Sequence, residues 1–198
     1  MVLAQRFAIG LGDIIKNLNG ALDCFDPMSG RDNSYPERMI SYYYIQALAK
    51  ALPDAKVVLE LPVTGRSSRG KDNHIDALVF NDREMVVAEF KVGWAQSHWA
   101  SLERDLERLC MPSVREDIRA CFTDDRRRRE FVFLGTDCWR RDRALTWKSG
   151  RRSGTSILPQ SLSAAKRDFF CVYDEKGKGC DGYYLTWALL PYNSKRSL

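Results

Sequence analysis

Apolar residues recur at helical spacing in Phe7, Leu11, Ile14, Ile15, Leu18 and Leu22, which predicts a first helix over residues 7–25, closed near Asp26-Pro27. A second is predicted from Ser34, the capping residue, through Ile40, Tyr44, Ala47, Leu48 and Ala51 to Pro53. The period then changes from near four to two. Val57, Leu59 and Leu61 alternate with Val58 and Glu60 and predict a strand over 55–63, and two further β-type runs, 74–80 and 85–92, flank the polar Asn81-Asp82-Arg83-Glu84 as a hairpin. Gly93 breaks the last of these strands. Trp99, Leu102, Leu106 and Leu109 restore the helical stripe over 96–110, with the charges of Glu103, Arg104, Asp105, Glu107 and Arg108 assigned to a solvated face. After Pro112, Ser113 and Glu116 form a capping box for a short helix to Phe122.

The apolar run Phe131-Val132-Phe133-Leu134-Gly135 reads as a central strand, parallel to the 85–92 strand because a helical crossover separates them. A basic segment over 138–155, a short helix over 161–168 and strands at 169–173 and 182–190 complete the expectation. The fold class is α/β: a mixed sheet with helices on both faces, in one domain spanning 1–198.

Side-chain alternation in the 85–92 strand puts Glu89 and Lys91 on one face and Ala88 and Phe90 on the other. Unpaired charge in so apolar a strand is costly, so those two side chains require partners. The hairpin partner strand carries Asp76, with His74 on the same face, and brings the Asp76 carboxylate toward Glu89 and Lys91. Two carboxylates suit a hard divalent cation, and an ammonium beside them can act on water or on phosphate charge. The plainer alternative is a cross-strand salt bridge on a solvated face.

Asp76, twelve residues, then Glu89-Phe90-Lys91 resembles the PD-(D/E)XK nuclease superfamily, with Ile75 standing where the family name has proline. The resemblance covers residues 34–137 and implies a restriction-endonuclease-like αβββαβ core, with the helix 7–25 and the segment 138–198 peripheral. It implies Asp76, Glu89 and the Phe90 carbonyl as ligands of Mg²⁺ or Mn²⁺, and Lys91 as the residue serving the attacking water. Glu37, on the core-facing stripe of the second helix, is either a further metal carboxylate or the partner of the Ser34 cap. Gln96 matches weakly a residue that some members place near the metal, and Glu60 is a second-rank carboxylate, better suited to an exposed edge.

Charge extends the picture to a partner. Net charge is +5; residues 1–99 hold 11 Lys/Arg and 12 Asp/Glu, whereas 100–198 hold 20 and 14. From Arg126 to Arg152 there are ten basic and three acidic residues. Arg140, Arg141, Arg143, Lys148, Arg151 and Arg152, interleaved with Trp139 and Trp147, suit a nucleic-acid backbone with indoles for base stacking. A solvated loop with its indoles in the core is the alternative. Arg66, Arg69 and Lys71, in the loop leading to Asp76, form a second candidate phosphate clamp.

The expected activity is therefore metal-dependent phosphodiester hydrolysis of nucleic acid, DNA before RNA. The alternatives are an inactive nucleic-acid-binding or assembly module of the same fold, and a nuclease toxin or effector. A homodimer or a protein partner fits either class. Cysteines 24, 110, 121, 138, 171 and 180 form no CxxC pair and read as reduced thiols, the expected location is cytoplasmic, and no run is apolar enough for a membrane span. Dinucleotide, P-loop and GxSxG signatures are missing, which leaves nucleotide-cofactor and serine-hydrolase readings without support.

Overall fold

A computed structural model describes residues 2–22, 37–63, 73–91, 99–124, 126–152, 155–156, 165–174 and 181–192. Helices α1 (Leu3–Leu22) and α2 (Glu37–Ala51) precede strands β1 (Lys56–Val63), β2 (Asn73–Phe80) and β3 (Glu84–Lys91). Then come α3 (Trp99–Cys110), α4 (Pro112–Ala120), β4 (Arg129–Arg140), α5 (Arg141–Ser149), the small hairpin β5 (Arg151–Arg152) and β6 (Thr155–Ser156), β7 (Lys166–Asp174) and β8 (Asp181–Pro191). The main sheet has six strands in the order β1-β2-β3-β4-β8-β7, with β3 and β4 parallel and every other pair antiparallel.

The hairpin between β2 and β3 is made by Asn81. Its Oδ1 accepts the amides of Arg83 and Glu84, both at 2.8 Å, while its Nδ2 donates to the Pro53 carbonyl at 3.0 Å. An asparagine that mimics a turn of backbone fixes the register. Ala77 consequently faces Ala88, and Glu89 and Lys91 face Leu134 and Thr136 of β4.

Two apolar layers enclose the sheet. Phe7, Leu11, Ile40, Tyr44 and Leu48 from α1 and α2 cover Ala77, Val79, Val86, Ala88 and Phe90 on one face. On the other, Leu102, Leu106 and Leu109 of α3, Val114 and Ile118 of α4, and Ala144 and Trp147 of α5 cover Leu78, Met85, Val87, Val132 and Leu134. The first helix is thus a core element, with Phe7 wholly buried, and β8 lies beside β4 within the sheet. Neither is peripheral.

Gly135 shows how closely α2 is set. A Cβ there would lie 2.7 Å from the Tyr44 ring, and the Tyr44 hydroxyl shares its proton between the carbonyls of Thr136 at 2.6 Å and Thr186 at 2.7 Å. The glycine is what admits the ring and lets it tie β4 to β8.

Several boundaries differ from expectation. β4 runs to Arg140 because Thr136, Asp137 and Cys138 pair with β8, although polar residues interrupt the apolar run. The basic segment, for which the sequence shows no element, is the end of β4 followed by helix α5, which ends at Gly150 in the left-handed conformation (φ 70°). Residues 166–168 are strand, not helix, because they pair with Asp168↔Trp187 and its neighbours along β8. At α4 the expected capping box gives way to Met111 as a residue without side-chain cap and Pro112 in the first helical turn, where its missing N–H costs nothing. Ser34 lies outside the described residues. Cys110, Cys121, Cys138 and Cys171 are unbridged, and burial pushes the Cys138 thiol up to about 12, leaving it inert. Among the described residues no helix is long and apolar enough to cross a membrane.

Candidate active site at the end of the hairpin

Beyond Ala77 and Ala88 the β2–β3 pairing gives way to a side chain. The Asp76 carboxylate accepts the Phe90 amide at 2.7 Å, the bond that a backbone carbonyl would make in a continued ladder. Asp76 is thereby held against the peptide between Glu89 and Lys91.

Alternation along β3 turns Phe90 into the layer under α2 and Glu89 and Lys91 toward α3, as expected. The Glu89 side chain is 5 % exposed and the Lys91 side chain 31 %. One Glu89 oxygen, Oε1, lies 3.6 Å from Lys91 Nζ and accepts Arg108 Nη2 at 2.7 Å. The other, Oε2, is buried and has no hydrogen-bond partner among the described residues.

Helix α3 supplies two groups that the sequence reading left on a solvated face. Asp105 Oδ2 lies 3.3 Å from Lys91 Nζ, and Arg108 reaches Glu89 while its Nη1 donates to the His74 carbonyl at 2.9 Å. Asp105 and Arg108 also approach one another, at 3.9 Å. A signal was present: Asp105 falls three residues after Leu102 and four before Leu109, so it sits on the apolar stripe and not opposite to it. Three carboxylates and two cations therefore meet where β2, β3 and α3 converge.

The electrostatics follow from burial and like charge. Burial, then the neighbouring Asp76 carboxylate, pushes Glu89 up to about 7 against the opposing pull of Arg108 and Lys91. Burial alone would lower the Lys91 ammonium, but the carboxylates of Asp105, Glu89 and Asp76 outweigh it and hold Lys91 above its ordinary value. Lys91 therefore holds its proton more firmly beside these carboxylates than it would in water.

Among the described residues no group of three or more His, Cys, Asp or Glu side chains is arranged as a metal cage. Asp76 and Glu89 form a pair, and a pair is what Mg²⁺ ordinarily takes, since it keeps several waters and completes its octahedron with substrate oxygens. The partnerless Glu89 Oε2 and the like charge of the two neighbouring carboxylates suit a divalent cation.

Other predicted site residues are placed as follows. Glu37 opens α2, a helix packed on the opposite face of the sheet from Glu89; its side chain lies outside the described residues. Glu60 is exposed on the edge strand β1, with φ 52°. Arg66, Arg69, Lys71 and Gln96 lie outside the described residues, as do the side chains of Trp139, Arg151 and Arg152.

Arg140, Arg141 and Arg143 are exposed around the start of α5, where Arg140 binds Asp142 at 2.9 and 3.0 Å. Lys148 pairs with Asp168 at 2.8 Å, so the segment is not neutralised by Asp142 alone. Trp147 is not a stacking platform: it is wholly buried and donates from Nε1 to the Trp187 carbonyl at 2.9 Å. The helix nonetheless packs on the α3 side of the sheet. It starts beyond the carboxyl end of β4, five residues past Thr136, the register partner of Lys91, or roughly 17 Å along the strand.

Comparison with known proteins finds no family model, curated protein or solved structure that matches the chain.

Proposed function

We propose that the protein is a metal-dependent phosphodiesterase that cleaves nucleic acid, DNA in preference to RNA, on a PD-(D/E)XK-like core. The observation that carries this reading is the Asp76–Glu89–Lys91 convergence at the carboxyl end of β3, with a buried carboxylate oxygen left without a partner. The order of two helices, three strands, two helices and a strand around it supports the restriction-endonuclease-like assignment of the core.

Asp76 and Glu89 would hold Mg²⁺ or Mn²⁺, and the Phe90 carbonyl, between Glu89 and Lys91, is a third donor. Such a cation supplies charge against the phosphate oxygens and a more acidic water. Lys91, kept protonated by Asp105, donates to the water or to the phosphate as negative charge develops there. Asp105 acts through Lys91 and is a positioning residue. The exposed arginines 140, 141 and 143 bind the nucleic-acid backbone beside the site and bring no base specificity of their own.

A second reading has its own observation. Arg108 and Lys91 both lie on Glu89, and an internal ion cluster of that kind also suits a nucleic-acid-binding module without turnover. The deciding experiment is incubation of labelled linear, circular and single-stranded DNA, and of RNA, with Mg²⁺, Mn²⁺ or EDTA, alongside calorimetric titration with Mn²⁺. Metal-dependent cleavage is expected. Nucleic-acid binding with neither cleavage nor a Mn²⁺ site would leave the module as the correct reading.

A further inference from the structure

Arg108 occupies the place from which a metal ion would draw its negative charge. Its guanidinium is 2.7 Å from Glu89 Oε1, the strongest contact made by that carboxylate, and is steadied by the His74 carbonyl at 2.9 Å. The arginine side chain is 19 % exposed and so within reach of the solvent from which a cation arrives. Asp105, one helical turn back, gives the guanidinium another carboxylate to turn to, 3.9 Å away in the present arrangement.

We propose that Arg108 is a latch on the metal site: a built-in cation that neutralises Glu89 until a divalent ion takes its place, whereupon the guanidinium shifts to Asp105. This rests on the reading of Asp76 and Glu89 as metal ligands. Two features set the latch apart from an ordinary structural salt bridge. Both cations near Glu89 crowd one oxygen and leave Oε2 without a partner, so the pairing is incomplete. The same Arg108 nitrogen, Nη2, that holds Glu89 Oε1 at 2.7 Å lies 3.9 Å from Asp105 Oδ1, so a second carboxylate is already within its reach.

The latch makes metal affinity lower than the carboxylates alone would give. Occupancy of Glu89 by Arg108 taxes binding by the fraction of molecules in which the latch is closed, and a cation left nearby repels the incoming ion. Removing the guanidinium should therefore tighten binding, whereas loss of a merely structural residue loosens it.

The test is calorimetric titration of the full chain with Mn²⁺ as wild type, Arg108→Ala and Arg108→Met, the last keeping an unbranched apolar stem. Tightening of about tenfold in either folded variant is the expected result. Arg108→Lys, which retains the charge without the fork, should fall between the wild type and Arg108→Ala. Unchanged or weaker Mn²⁺ affinity in the Ala and Met variants, with binding intact in the wild type, overturns the latch and leaves the metal site standing. Absence of Mn²⁺ binding from the wild type and from every folded variant overturns both.

Discussion

Strand β3 carries a buried glutamate at each end, and the two are handled differently. Glu84, with a side chain 4 % exposed, gives Oε2 to Arg6 and Oε1 to Arg129, so each oxygen has its own guanidinium. Glu89, with nearly the same burial, has two cations on one oxygen, none on the other and a second carboxylate beside it. The same residue type in the same strand is thus a finished ion cluster at one end and an unfinished one at the other. Burial of charge does not by itself mark a site; incomplete pairing together with convergence of like charges does.

The largest effect expected from this contrast is on activity. Lys91→Ala and Glu89→Gln should each lower single-turnover cleavage of labelled DNA in Mg²⁺ by about a thousandfold or more, with Mn²⁺ binding kept in the first and weakened in the second. Glu84→Gln, the matched control, should stay within a few fold of wild type. Equal losses at both ends would erase the distinction.

Stability should separate the ends in the opposite sense. Glu84→Ala leaves Arg6 beside a buried gap, and because Arg129 is largely exposed and recovers water, the loss should be about 2 kcal/mol, short of the full cost of breaking a buried pair. Urea unfolding of the metal-free protein measures it.

Glu89→Gln should stabilise the metal-free protein, and the gain depends on pH with a definite sign. The folded-state value of Glu89 is raised to about 7, above that of the unfolded chain, so the folded protein binds the extra proton between the two. Stability consequently falls as pH rises from about 4.5 through 7. The substitution should contribute about 3 kcal/mol at pH 8.5 and almost nothing at pH 4.5. A gain of the same size at both pH values would mean that packing, not ionisation, is responsible.

The smallest effect is expected at α5. Replacing Arg140, Arg141 and Arg143 by Ala should weaken DNA binding and reduce its salt slope by about one to two units, less than three because Arg140 is already held by Asp142. Cleavage at saturating substrate should change little. A triple variant that binds normally would move the backbone contact to Arg66, Arg69 and Lys71.

The hairpin and the meeting of Asp76, Glu89 and Lys91 were legible in the sequence because period-two alternation fixes both register and face. Helices with a full apolar stripe were equally legible. The partners of Glu89 were not, since Asp105 and Arg108 look like any exposed helical pair until α3 is laid across the sheet; only the position of Asp105 on the stripe betrayed it. Helix α5 escaped for a related reason. In Arg141-Asp142-Arg143-Ala144-Leu145-Thr146-Trp147-Lys148-Ser149 only Ala144 and Trp147 face inward, too few to show a helical period, and tertiary packing of the indole does the rest.

The hydrogen bond from the Phe90 amide to Asp76 turns one backbone proton into a sensor of the site. A charged acceptor at 2.7 Å shifts that proton strongly downfield and slows its exchange with solvent, more than a neutral carbonyl would. Protonation of Asp76, its recruitment by a cation or its replacement by Asn each alters the acceptor, while the strands on either side stay paired. A single ¹⁵N-labelled amide signal, assigned to Phe90, therefore reports the state of the carboxylate in the intact protein without substrate, and follows it through any titration applied to the chain.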